Sequence, residues 1–140
     1  ASAAQVVSAA FDSWGIAVDD TSVYWRDTTP DQQGRVMKVS KGGGLPQQLA
    51  ATSGEGPRFV AIDDTNIYWT SGDNSNGSII TSAKDGSGKV DIAVSQAGPR
   101  GVAVDDTYVY WANFSGATVL KTPKPPDLIR TPRPSNPSHD

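Results

Sequence analysis

The chain has 140 residues, 36% of them hydrophobic and 19% charged, which is enough apolar content for one folded domain and includes no run long enough to cross a membrane as a helix. Twelve basic against fifteen acidic side chains give a net charge of -3, which excludes the basic footprint of a nucleic-acid binder. The absence of cysteine removes disulfides and thiolate metal centres and leaves the compartment open.

Ala1-Ser2-Ala3-Ala4 reads equally as the small-residue neighbourhood of a signal-peptidase cut or as an ordinary start. Localisation is therefore unknown, with a secreted or periplasmic setting favoured. Gln5-Val6-Val7-Ser8 follows, and Val6 lies ten residues before Ile16, the offset that also separates Ile92 from Val102. Residues 5–10 are accordingly predicted as a fourth strand without a blade of its own.

The segment Ile16-Ala17-Val18-Asp19-Asp20-Thr21-Ser22-Val23-Tyr24-Trp25 then sets the pattern. It returns nearly intact as Val60 to Trp69 and as Val102 to Trp111, with 44 positions from Trp25 to Trp69 and 42 from Trp69 to Trp111. Such a period belongs to repeat architectures. In each copy an apolar run meets Asp-Asp-Thr-x and a β-branched and aromatic run follows, which predicts strand, tight turn, strand. Carboxylate and hydroxyl side chains suit the turn because they hydrogen-bond nearby backbone groups. The apolar spacing of three and four that a helix needs is absent.

Arg35 to Val39, Ser78 to Ser82 and Thr118 to Thr122 read as third strands, each followed two residues later by a lysine, Lys41, Lys84 or Lys124. Gln48 to Ala51 and Val90 to Val94 read as fourth strands. Four antiparallel strands in about 40–45 residues is the size of one β-propeller blade. The predicted fold is all-β, a β-propeller of three four-stranded blades at about 15–54, 57–95 and 99–124. A Pro-rich tail over 125–140 carries a stub of strand at Leu128-Ile129-Arg130, since proline interrupts strand pairing.

The Tyr-Trp pair that closes each second strand, fullest in Tyr24-Trp25-Arg26-Asp27, resembles the YWTD repeats of low-density-lipoprotein-receptor-type six-bladed propellers. Gly77 to Ser87 is similar to the third strand and turn of that repeat, and the Gly-x-Ala-Val-Asp starts at Gly15 and Gly101 resemble NHL-type and related bacterial propellers. The resemblance covers about residues 5–122 and implies half of a six-bladed ring. It departs from the receptor pattern at Thr70-Ser71 and Ala112-Asn113, where the acidic residue is missing.

Three blades cannot close a ring that needs about 4–8. Roughly 400 Å² of apolar surface left wet at an open end forfeits on the order of 10 kcal/mol, comparable with a domain's whole stability. A head-to-tail homodimer is therefore expected, in which the fourth strand of each chain completes the last blade of the other. A piece of a longer propeller is the rival reading.

The repeated pairs Asp19-Asp20, Asp63-Asp64 and Asp105-Asp106 favour a structural turn, because an active site needs one asymmetric set. Asp73-Asn74-Ser75-Asn76-Gly77 is rich in oxygen but lacks the glutamate and glycine of a calcium loop. His139 stands alone in the tail, so no serine in an ordered region has a histidine base, and Gly42-Gly43-Gly44 reads as a hairpin turn. The repeated Tyr-Trp pairs read first as packing between blades.

The positions that break the repeat are more informative. Trp14, Arg58 and Arg100 sit two residues before Ile16, Val60 and Val102, in connections expected to ring the channel mouth. Tryptophan and arginine dominate interaction hot spots, and arginine favours carboxylate or phosphate. Connections between second and third strands add Asp27, Asp31, Asp73, Asn76, Asn113 and Phe114. The candidate ligand-binding set is Trp14, Arg58, Arg100, Asp27, Asp73, Asn113 and Phe114, with no catalytic residue, metal ligand or cofactor assigned. The function expected is a non-catalytic binding or scaffold module for a glycan, peptide or protein. The alternatives are an exported lyase or hydrolase, or a structural donor of blades to a partner propeller.

Overall fold

The computed structural model describes residues 3–52 and 57–126, so the predicted stub at Leu128-Ile129-Arg130 and His139 lie outside the described residues. The first sheet holds β1 (Trp14–Val18), β2 (Ser22–Thr28), β3 (Gly34–Ser40) and β4 (Gln47–Thr52) in that order. The second holds β5 (Pro57–Ile62), β6 (Asn66–Gly72), β7 (Gly77–Ala83) and β8 (Val90–Gln96). In the third, β9 (Pro99–Val104), β10 (Tyr108–Asn113) and β11 (Thr118–Pro123) are paired among the described residues. All neighbours are antiparallel, giving three successive blades of a propeller.

Side chains alternate across a strand, so the two members of each Tyr-Trp pair enter different interfaces. Tyr24 of the first blade packs with Trp69, Val60, Ile67 and Ile80 of the second, together with Val36 and Leu49. Tyr68 of the second packs with Ile79 and with Trp111 and Val109 of the third. Tyr24 and Tyr68 thus face the following blade, and Trp69 and Trp111 the preceding one. This packing is what the repeat's in-register aromatics imply, and Trp69 at its centre is fully buried.

The turns follow the same repeat. Asp19 Oδ1 accepts the amides of Thr21 and Ser22 at 2.9 and 2.8 Å, Asp63 Oδ1 those of Thr65 and Asn66 at 3.0 and 2.8 Å, and Asp105 Oδ1 those of Thr107 and Tyr108 at 2.8 and 2.7 Å. The first aspartate of each pair therefore closes its turn, while Asp20, Asp64 and Asp106 are exposed. The second oxygen of Asp19 accepts from Tyr24 Oη at 2.9 Å and from Lys84 Nζ of the next blade at 2.8 Å. Asp63 repeats this with Tyr68 at 2.7 Å and Lys124 at 2.8 Å.

At Asp63 burial opposes ionisation, but Lys124, the Thr65 and Asn66 amides and the Tyr68 hydroxyl outweigh it and hold the carboxyl at about 2. The same balance at Asp19, with Lys84, the two turn amides and Tyr24, leaves its carboxyl well below the usual carboxylate range. A carboxyl whose folded value is depressed contributes stability above its unfolded value near 4, and that contribution is lost as pH falls through the folded value. The melting temperature should therefore hold from neutral pH to about 5 and fall between about 4 and 2. Screened by partial exposure, each carboxylate accounts for on the order of 1 kcal/mol of that loss. Thermal melts of the wild type and D63N across this range check it, since the variant should show a shallower fall.

Residues 3–13 form no strand in the single chain, where the fourth strand expected at 5–10 has no blade of its own to pair with. A strand needs a sheet edge to pair with, and among the described residues no β-ladder includes this segment. The link into β1 nonetheless resembles the link from β8 into β9. Phe11 O accepts the Thr28 amide at 2.9 Å as Ala97 O accepts the Ser115 amide at 3.1 Å, and Asp12 and Gly98, at equivalent positions, have φ of 42° and 70°. The segment lies beside Trp25, Val23 and Val39 on the free face of the first blade.

Candidate functional site

The aspartate turns stand at one end of the blades and the repeat-breaking arginines at the other. Trp14, Arg58 and Arg100 were expected in connecting loops, but all three lie on first strands, β1, β5 and β9. Each strand carries a bulge there: the register slips between Trp14 and Ile16, between Pro57 and Val60, and opposite Trp111 and Asn113. A bulge twists the strand and re-aims its side chains, which is why three in-register positions point into one space.

Two contacts set the bulged strands side by side. Gly15 has φ of 55°, and a Cβ there would sit 2.9 Å from Phe59 Cα, so only glycine permits this approach of β1 to β5. Thr70, fully buried, donates its hydroxyl to Arg100 O at 2.8 Å and accepts the Phe59 amide at 3.2 Å, tying β5 to β9.

The result is an open concavity of about 520 Å³ lined by Trp14, Arg58 and Arg100 together with Arg26, Phe59 and Asp12. Arg26 was not singled out from the sequence. It lies on β2 opposite Trp14, is buried, and donates Nη1 to Asp12 O at 3.0 Å. Burial and then the charge of Arg58 push the Arg26 guanidinium below its ordinary value. Arg100 lies over the exposed Phe114 ring at 4.0 Å, and its buried Nε has no hydrogen-bond partner. Three guanidinium groups thus converge beside the Asp12 carboxylate, and a guanidinium fork has the geometry to pair with a carboxylate or phosphate.

The remaining candidates divide. Phe114 is brought to this end beneath Arg100. Asp73 is exposed, but its Oδ1 is occupied by the Ser75 amide and hydroxyl at 2.8 and 3.0 Å and by the Asn76 amide at 2.8 Å, so the oxygen-rich loop is an Asx turn joining β6 to β7. Asp27 and Asn113 are buried away from the concavity. Asp27 receives Arg35 Nε at 2.6 Å and Trp25 Nε1 at 3.0 Å, and Asn113 Nδ2 donates to Gln96 Oε1 at 3.0 Å. Asp27 is therefore satisfied within the first blade, whereas the Asn113 amide ties the third blade to the second and its buried Oδ1 has no hydrogen-bond partner among the described residues. Among the described residues no group of three or more His, Asp or Glu side chains could hold a metal.

No protein-family model and no curated protein matches the chain. Among solved structures it is similar to a chain of the crystal structure of a nidogen/laminin complex, with a TM-score of 0.61 and 22% identity over 78% of this chain and 47% of that one. The chain thus spans about half the length of the structure it matches. At this identity the likeness supports a propeller-like fold in general and does not reach the YWTD or NHL families in particular.

Proposed function

We propose that this chain is a non-catalytic protein-binding module of propeller type, working as half of a six-bladed ring closed by a second copy. Its arginine-lined end takes an acidic group of a partner protein or peptide. The convergence of Arg26, Arg58 and Arg100 on one concavity carries the reading, with the Arg100 Nε left without a partner among the described residues. Exposed Trp14 and Phe114 flank the arginines and supply apolar contact around a charged centre, the arrangement of an interaction hot spot. The nidogen/laminin structure, itself a complex, lends the protein-binding part weak support, and a secreted setting belongs to the same reading.

Calorimetric titration with an oligoglutamate peptide, beside an oligoglutamine peptide of the same length, tests the site. Oligoglutamate should bind, oligoglutamine should not, and the combined R58A and R100A substitutions should weaken binding at least about tenfold. Equal behaviour of the two peptides would overturn the assignment.

A further inference from the structure

The tie between successive blades repeats with one member left over at each end. Asp19 joins Tyr24 of its own blade to Lys84 of the next, and Asp63 joins Tyr68 to Lys124. The lysines hold equivalent backbone positions: the amides of Lys41, Lys84 and Lys124 donate to Thr21, Thr65 and Thr107 at 2.9, 3.3 and 2.9 Å. In the third blade Asp105 Oδ2 accepts Tyr110 Oη at 2.8 Å, and no lysine or arginine pairs with it among the described residues. In the first blade Lys41 is exposed, and its ammonium has no partner among them.

The apolar faces are left over in the same sense. Val36 and Ile79 are 0% exposed, whereas Val119, at their equivalent position in the third blade, is 79% exposed. Val60 is 7% exposed, and its equivalent Ile16 in the first blade is 74% exposed. One terminal face thus presents the Asp-Tyr half of the tie beside a bare valine, and the other presents the lysine half beside a bare isoleucine. Residues 5–8 and 10 lie along that second face beside Ile16, Val23, Trp25 and Val39, and β11 is the edge of the third sheet among the described residues.

We propose that the third blade of one chain docks on the first blade of a second copy, with Lys41 of each chain completing the Asp105–Tyr110 site of the other, so that two chains close a ring through two identical ties. A second copy fits as the occupant because the two halves of a tie built twice inside the chain are complementary, neither is paired among the described residues, and they stand on opposite terminal faces. Two copies supply six blades, within the range that closes, and the symmetry makes the junctions equal. This inference rests on the two-chain ring of the proposed function and names the contacts that seal it.

Light scattering on a sizing column, over a dilution series, tests it with wild type, K41E and K89E. Lys41 has no side-chain partner among the described residues, so K41E should leave the fold intact, as an unchanged circular dichroism spectrum would show. Lys89, exposed in the β7–β8 turn, controls for the same change in net charge. Wild type and K89E should have twice the 14.7 kDa chain mass. K41E sets a carboxylate against Asp105 at both junctions and should weaken the dimer about 100-fold or more, shifting it to monomer on dilution. A wild-type monomer or an open polymer overturns the two-chain ring and the tie together. A wild-type dimer that K41E leaves unchanged overturns the tie alone.

Discussion

Trp69→Ala should remove about 3–5 kcal/mol of stability, a large share of what a domain of this size holds. Trp69 is fully buried between the first and second blades, against Tyr24, Val36, Leu49, Val60, Ile67 and Ile80. Those residues come from both sheets, so the indole's volume belongs to the interface and neither sheet can collapse alone to fill it. The melting temperature should fall by roughly 10–20 °C, read from circular dichroism melts and checked by urea unfolding.

Trp69→Phe should behave very differently. The Trp69 Nε1 is buried with no hydrogen-bond partner, whereas Trp25 Nε1 donates to Asp27 and Trp111 Nε1 donates to Gln96, both at 3.0 Å. Phenylalanine at 69 loses some volume but also removes an unsatisfied donor, whose burial costs about 1–3 kcal/mol, so the two effects largely offset. At Trp25 or Trp111 the same change would break a formed hydrogen bond, to Asp27 or to Gln96, as well as leave a void, and should cost more. Equal losses at all three positions would mean that volume alone governs them.

The contrast shows what the repeat made legible. Spacing between the tryptophans located the blades, and alternation within each Tyr-Trp pair required the two rings to enter different interfaces. The aspartate turns were legible too, because an Asx turn involves residues only two and three apart. Partners further away were not. Lys41, Lys84 and Lys124 stood out as an in-register series, yet that Lys84 reaches back 65 positions to Asp19 follows only from how one blade lies on the next. Trp14, Arg58 and Arg100 were legible as breaks in the repeat and do meet in one concavity. Their placement on bulged strands was hidden, because a bulge adds a residue without a compositional mark. Arg26 was missed for a related reason: it sits inside the Tyr-Trp-Arg-Asp motif, so it read as part of the repeat, although Thr70 and Ala112 hold its place in the other blades.

Asp27 carries the second large effect. Its position after Tyr-Trp-Arg suggested a loop carboxylate open to a ligand, yet it is fully buried. Arg35 approaches it through Nε at 2.6 Å and Nη2 at 3.3 Å, and Trp25 Nε1 caps it at 3.0 Å. Asp27→Ala would leave the Arg35 guanidinium beside a void and the indole donor without its acceptor, a loss of about 3–5 kcal/mol for a buried ion pair broken from one side. Asp27→Asn keeps the shape and one acceptor and should lose less, about 1–3 kcal/mol. Arg35→Ala alone should be milder than Asp27→Ala, since Arg35 keeps 24% of its side chain in solvent while Asp27 keeps 1%. In a double-mutant cycle from urea unfolding, the two positions should couple by about 1–3 kcal/mol, and additive losses would show that the pair contributes nothing beyond its separate members. Because Asp27 lies outside the arginine-lined concavity, the folded fraction of Asp27→Asn should bind oligoglutamate as the wild type does. A fall in affinity with the fold intact would instead mean that this carboxylate helps to set the bulged end of β1 against β2.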